Sequence, residues 1–123
     1  MEPSDVGLID IEIKTAYRAG TTSVYTVSGD RSSNLYQLDL NTGLASLVGN
    51  LGVSKDFEAL AFSPSGVLYA LEDSNFGLYT VNTFSGAATL VGSTGLSGAD
   101  NPGMTFDDDG RLWLVGGNST AKL

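Results

Sequence analysis

Apolar residues in this chain come in short runs broken by turn-forming residues. "VYTV" at 24–27, "LYQL" at 35–38, "LYAL" at 68–71, "LYTV" at 78–81 and "LWLV" at 112–115 are each bounded within a few residues by Gly, Pro, Ser, Asn or Asp. The run "LIDIEIK", Leu8 to Lys14, alternates apolar and polar positions, as a strand with one wet face does. Apart from Leu8 to Ala19, which opens on that alternating run, no window of eleven residues escapes a glycine, a proline or a turn cluster, so a helical period is not sustained. The pattern predicts an all-β chain of short antiparallel strands joined by tight turns.

The runs also recur. "LYQLDLNTGLASLVG" (35–49) and "LYTVNTFSGAATLVG" (78–92) align at an offset of 43, with Leu-Tyr, the turn glycine and the closing Leu-Val-Gly coinciding. "ALAFSPSGVLYAL" (59–71) and "GMTFDDDGRLWLV" (103–115) align at an offset of 44, pairing Phe62 with Phe106, Gly66 with Gly110 and Tyr69 with Trp113. The alignment predicts four-stranded antiparallel units of about 44 residues: a complete one over 7–50, a second over 51–93 and a partial one over 100–115. In the first unit the strands are expected at 8–15, 23–28, 35–40 and 45–49, and two strands are expected in the third.

The run "afsPsG-LYal...LYtid.tG..tlvG", as written here from "AFSPSGVLYAL" and "LYTVNTFSGAATLVG", resembles bacterial and archaeal β-propeller repeats of the broad YVTN, quinoprotein-like and esterase-like groups. That resemblance spans Leu8 to Val115 and implies β-propeller blades. A ring needs about four or more blades, so it further implies either a longer chain with the missing blades or a homo-oligomer. An open stack of sheets or a split sandwich is the other arrangement compatible with the strand pattern.

Composition narrows the function classes. With 14 Asp and Glu against 6 Lys and Arg, the formal net charge is −8, the wrong sign for a phosphate backbone, so no nucleic-acid partner is expected. The chain contains neither His nor Cys. A serine-histidine relay, an imidazole zinc cage, thiolate ligands and disulfides are thereby excluded. No "GxxxxGK" occurs and no "GxGxxG" opens a helix, and no apolar stretch approaches the length of a membrane span, so no membrane insertion is expected. The Thr/Ser/Gly/Asn-rich surface, the missing cysteine and the resemblance to exported propellers point to a secreted or envelope-associated protein.

What remains for chemistry is carboxylate. Asp56, Glu58, Glu72, Asp73 and Asp100 fall on connections expected at one end of the units, and hard oxygen ligands of this kind suit calcium. "DFEAL" (56–60) resembles the Asp-x-Glu run on the first strand of phytase-like and esterase-like propellers, which implies a calcium-binding acidic face; the third unit has Pro102 where Glu58 stands. Loop solvation is the alternative role for these acids. Asp107 to Asp109 before Gly110 read as a hairpin turn, because Arg111 occupies a place where a calcium loop needs oxygen. "NTG" (41–43) and "FSG" (84–86) are turn chemistry as well.

Tyr25, Tyr36, Phe62, Tyr69, Tyr79, Phe106 and Trp113 hold recurring places, which assigns them to the core or to packing between units. Phe57 and Phe76 have no counterpart in the next unit and are expected to contact a partner. The reading favoured is a noncatalytic propeller module that binds protein or carbohydrate or serves in a structural assembly, with no cofactor or with calcium. Its rival is a metal-dependent hydrolase-like propeller.

Overall fold

The computed structural model describes residues 15–17, 23–28, 32–73, 75–96, 102–115 and 120–122. Eleven short strands run in chain order: β1 (Thr15–Tyr17), β2 (Val24–Val27), β3 (Asn34–Leu38), β4 (Ala45–Asn50), β5 (Phe57–Phe62), β6 (Leu68–Glu72), β7 (Gly77–Val81), β8 (Ala88–Ser93), β9 (Gly103–Phe106), β10 (Leu112–Val115) and β11 (Thr120–Lys122). They form three separate antiparallel sheets, β1-β2-β3-β4, β5-β6-β7-β8 and β11-β10-β9. Every neighbour in a sheet is also a neighbour in sequence, so each sheet is a plain meander made by its own turns.

The turns explain why these residues form hairpins. Asp39 and Asn82 each accept backbone N–H groups two and three residues on through Oδ1, and Gly43 and Gly86 close the turns with φ of 77° and 85°. That left-handed conformation favours glycine. The β5–β6 and β9–β10 turns share another design, in which Ser63 and Asp107 take the N–H of Val67 and Arg111 on their side chains, with Gly66 and Gly110 at positive φ. β3/β4 and β7/β8 also carry the same bulge, with Val48 and Val91 as the extra residues.

Packing sets the middle sheet apart. Tyr25, Val27 and Leu35 of the first sheet meet Phe57, Leu60 and Leu68 of the second in one cluster. On the other face of the second sheet, Ala59, Leu71 and Phe76 meet Leu114 of the third. β5 and β6 are therefore buried on both faces, whereas β4 and β8 lie at sheet edges with exposed residues. β5 stands beside β1 on one side and β9 on the other.

The β-propeller expectation, and with it the assignment to the YVTN, quinoprotein-like and esterase-like propeller groups, does not hold. Three separate sheets stand in an open series, none of them closed or curled into a ring, and the described residues show no comparable contact between the first and the third. Nor are the units uniform among the described residues, where two sheets have four strands and the third has three. The Leu-Tyr pairs and glycine turns that carried the resemblance specify hairpins, and a hairpin is satisfied by its own sheet without a ring. The propeller-based binding module and the hydrolase-like propeller lose their basis together.

Two boundaries also differ. The third sheet gains β11, which pairs Val115 with Thr120 and Trp113 with Lys122, where the sequence led us to expect two strands only. A three-residue strand after "GGNS" is too short to show a period. Of the strand expected at 8–15, only Thr15 falls within β1, and residues 8–14 lie outside the described residues.

Candidate functional site

Asp56, Glu58 and Asp73 converge where β5 begins and β6 ends. One carboxylate oxygen from each lies within 4.8 Å of the others, with Asp56 and Glu58 half-buried and Asp73 exposed. The ladder explains the convergence. Phe57 pairs with Glu72 and Ala59 with Leu71, so Glu58 is the extra residue of a bulge. A bulge breaks the strict alternation of side chains. Phe57 thereby enters the same core cluster as Leu60, three residues away, and Glu58 stands out of the ladder beside Asp56. Beyond the strands the Asp73 N–H donates to the Asp56 carbonyl at 2.8 Å, which holds those two acids across from each other.

Glu72 does something else. Its side chain is 3% exposed, and its Oε1 accepts the N–H groups of Asn75 at 3.0 Å and Gly77 at 3.4 Å, while Oε2 lies 3.6 Å from Lys55 Nζ. A buried carboxylate is tolerated only when its oxygens are partnered in this way. Glu72 thus ties the loop after β6 to itself. In that loop Phe76 adopts φ of 51°, uncommon for an aromatic residue, and its carbonyl is gripped by both Thr94 N and Thr94 Oγ1. Asp100 lies outside the described residues.

The chain shares its fold with two solved structures. A crystal structure of a protein of unknown function from Bacteroides thetaiotaomicron matches with a TM-score of 0.76 and 23% identity over 89% of this chain and 30% of that one. A luciferin-regenerating enzyme matches with a TM-score of 0.59 and 14% identity over 88% of this chain and 38% of that one. This chain therefore spans well under half the length of either, and at these identities the likeness is one of fold. No family model matches the chain, and no curated protein does.

The remaining sequence-derived residues distribute as follows. Phe57 is fully buried and stands edge-on to Tyr79 with centroids 5.2 Å apart, and Phe76 is buried in the second cluster. Both rings belong to the core, which leaves neither face available to a partner. Tyr25 and Tyr79 are buried; Tyr36, Phe62, Tyr69 and Phe106 are half-buried, with Tyr25 against Phe62 and Tyr69 against Phe106. Trp113 is 37% exposed and sits at the surface.

Trp113 leads to a network that composition did not reveal. Its Nε1 donates to Asp107 Oδ2 at 3.0 Å, Arg111 Nε donates to the same oxygen at 2.9 Å, and the N–H of Arg111 and of Asp109 donate to Oδ1. The Trp113 hydrogen bond foremost, then the Arg111 N–H, lower the pKa of Asp107 from 3.8 to about 2. Because the folded pKa is depressed, the stabilisation from this carboxylate is complete above pH 3.8 and is lost as pH falls toward 2. In an NMR titration Asp107 is expected to have its midpoint near 2, and Trp113→Phe should move it back toward 3.8; an unmoved midpoint would show that the indole bond does not control it.

Proposed function

We propose that the protein binds a hard divalent cation, calcium first, through Asp56, Glu58 and Asp73. The observation that carries this reading is the clustering of their carboxylate oxygens within 4.8 Å. Oxygens of one calcium shell, each about 2.4 Å from the ion, lie no more than about 4.8 Å apart, and the three donors meet that limit. Three like charges close together also repel, and a divalent ion relieves that repulsion. Calcium takes about six to eight oxygens, so water and second carboxylate oxygens would complete the shell. Glu72 is not counted among the donors, because its oxygens serve Asn75, Gly77 and Lys55.

A three-carboxylate, partly exposed site favours weak binding, in the ~10⁻⁴–10⁻³ M range of extracellular calcium modules. That affinity accords with a secreted or envelope-associated protein, and recovery of the natural gene product from the cytosol alone would count against that location.

Calorimetry and thermal melting with calcium test the cation reading. Calcium at a hundred times its Kd would stabilise the fold by about 2.7 kcal/mol. We expect binding heat and a raised melting temperature with calcium, and neither in Asp73→Asn, whose exposed side chain makes the change safe for folding. Sodium chloride at matched ionic strength controls for screening. No heat and an unchanged melting temperature at about 10–100 mM calcium, a hundred times the expected Kd, overturn the reading.

A further inference from the structure

A cleft of about 350 Å³ opens between the second and third sheets, at the end that carries the β5–β6 and β9–β10 turns. That volume is at the lower end of the roughly 300–1,000 Å³ range of ligand clefts. Ser63 and Ser65 of one turn and Asp108 and Asp109 of the other line it, together with Tyr69 and Phe106. The two rings come from different sheets, with centroids 5.2 Å apart and planes tilted by 50°, and both are half-buried, so ring surface remains for a guest.

The three consecutive aspartates of the β9–β10 turn are not equivalent. Asp107 Oδ2 takes Trp113 Nε1 and Arg111 Nε, and Asp109 Oδ2 takes Arg111 Nη2 at 2.7 Å, so one guanidinium serves both acids. Asp108 is exposed, and its carboxylate has no hydrogen bond or ion pair with any described residue. It is the uncompensated charge of the cleft. From the other turn, Ser63 Oγ accepts the Val67 N–H and lies 2.9 Å from Ser65 Oγ, which keeps at least one lone pair for a further donor.

These groups select by charge. An anion would be repelled by Asp108, and the formal charge of −8 draws cations toward the chain. A primary ammonium brings one positive charge and three donors. Aromatic faces attract it within about 6 Å of their centroids, and its alkyl stem covers apolar surface while the charge stays in water. We propose that the cleft binds a primary alkylammonium group, with the charge against Asp108, a further donor toward Ser65 and the stem on Tyr69 and Phe106. The group is the end of a lysine side chain of another polypeptide or a free aliphatic amine. The inference is independent of the calcium reading, since none of Asp56, Glu58 and Asp73 lines this cleft.

An NMR titration that follows the Tyr69 and Phe106 ring resonances and the Asp108 amide decides it, at about pH 7, where an aliphatic amine is protonated. The probes are 1,5-diaminopentane and Nα-acetyl-lysine N-methylamide, with 1-pentanol as the neutral control and sodium chloride at matched ionic strength as the control for screening. Saturable shifts with a millimolar Kd are expected for the amines and not for the alcohol. Tighter binding of the lysine derivative assigns the cleft to a polypeptide, and tighter binding of the diamine assigns it to a free amine. Asp108→Asn, which removes no hydrogen bond of the single chain, should weaken binding about fivefold, the upper end for an exposed ion pair. Tyr69→Leu should weaken it about two- to fivefold, and Asp108→Asn decides the matter if that variant proves unstable. The proposal is overturned by the absence of saturable shifts with either amine up to about 100 mM, by equal shifts with 1-pentanol, or by an Asp108→Asn variant that binds as the wild type does.

Discussion

Gly49→Ala is expected to destabilise the protein by about 3 kcal/mol and to lower its melting temperature by roughly 10 °C. A methyl group on Gly49 falls 2.0 Å from the Ser85 carbonyl oxygen, and the obstacle is backbone rather than a side chain able to swing aside. The turn must lift away, which breaks the Ala88 to Leu51 hydrogen bond and opens the core beneath Val48 and Leu51. Gly86→Ala should cost at least as much, because φ of 85° adds backbone strain to the clash. Gly92→Ala is the internal control, with the same chemistry at the counterpart position and open space around it. If Gly49→Ala and Gly92→Ala melt together, the first two sheets do not meet as described.

Phe57→Ala is expected to cost about 3–5 kcal/mol in a urea unfolding experiment, a large share of the roughly 5–15 kcal/mol available to a domain. Phe57 is fully buried, packs edge-on against Tyr79, and lies where the first two sheets join. Phe57→Leu keeps most of the volume and should cost about 1.5 kcal/mol or less. The position also bears on the carboxylates. The ring lies between Asp56 and Glu58 in sequence and anchors the bulge that sets them together, so Phe57→Ala should weaken calcium binding at temperatures where the fold persists. A loss under about 1 kcal/mol would place the ring outside a close-packed core.

Much of the local structure was legible because it is encoded locally. The turns after β3 and β7 follow from Asp39, Asn82 and two glycines, residues whose side chains and φ freedom act within a few positions. Strand β6 was readable in "LYAL" for the same reason, and Asp56 and Glu58 were nameable as acids on a connection. Their union with Asp73 was not. It depends on the bulge at Glu58 and on the pairing of β5 with β6, which brings together residues as far apart as Phe57 and Glu72. Glu72 looked equivalent to its neighbour Asp73 in sequence, yet one is buried and holds a loop while the other faces solvent. Phe57 and Phe76 looked like contact residues for want of counterparts, and burial from both sides of the middle sheet decided otherwise.

By itself the sequence determined an all-β chain of short antiparallel hairpins, an acidic surface, and the absence of imidazole and thiol chemistry. Turn preference, strand propensity and side-chain inventory are properties of neighbouring residues, so they survive in a linear reading. The tertiary structure alone decided that the three sheets stand in an open series, that the middle one is covered on both faces, and that Gly49 is closed over while Gly92 is not. Those outcomes depend on which surfaces meet, and matching hairpins with matching turns can be covered or left bare according to what stands beside them.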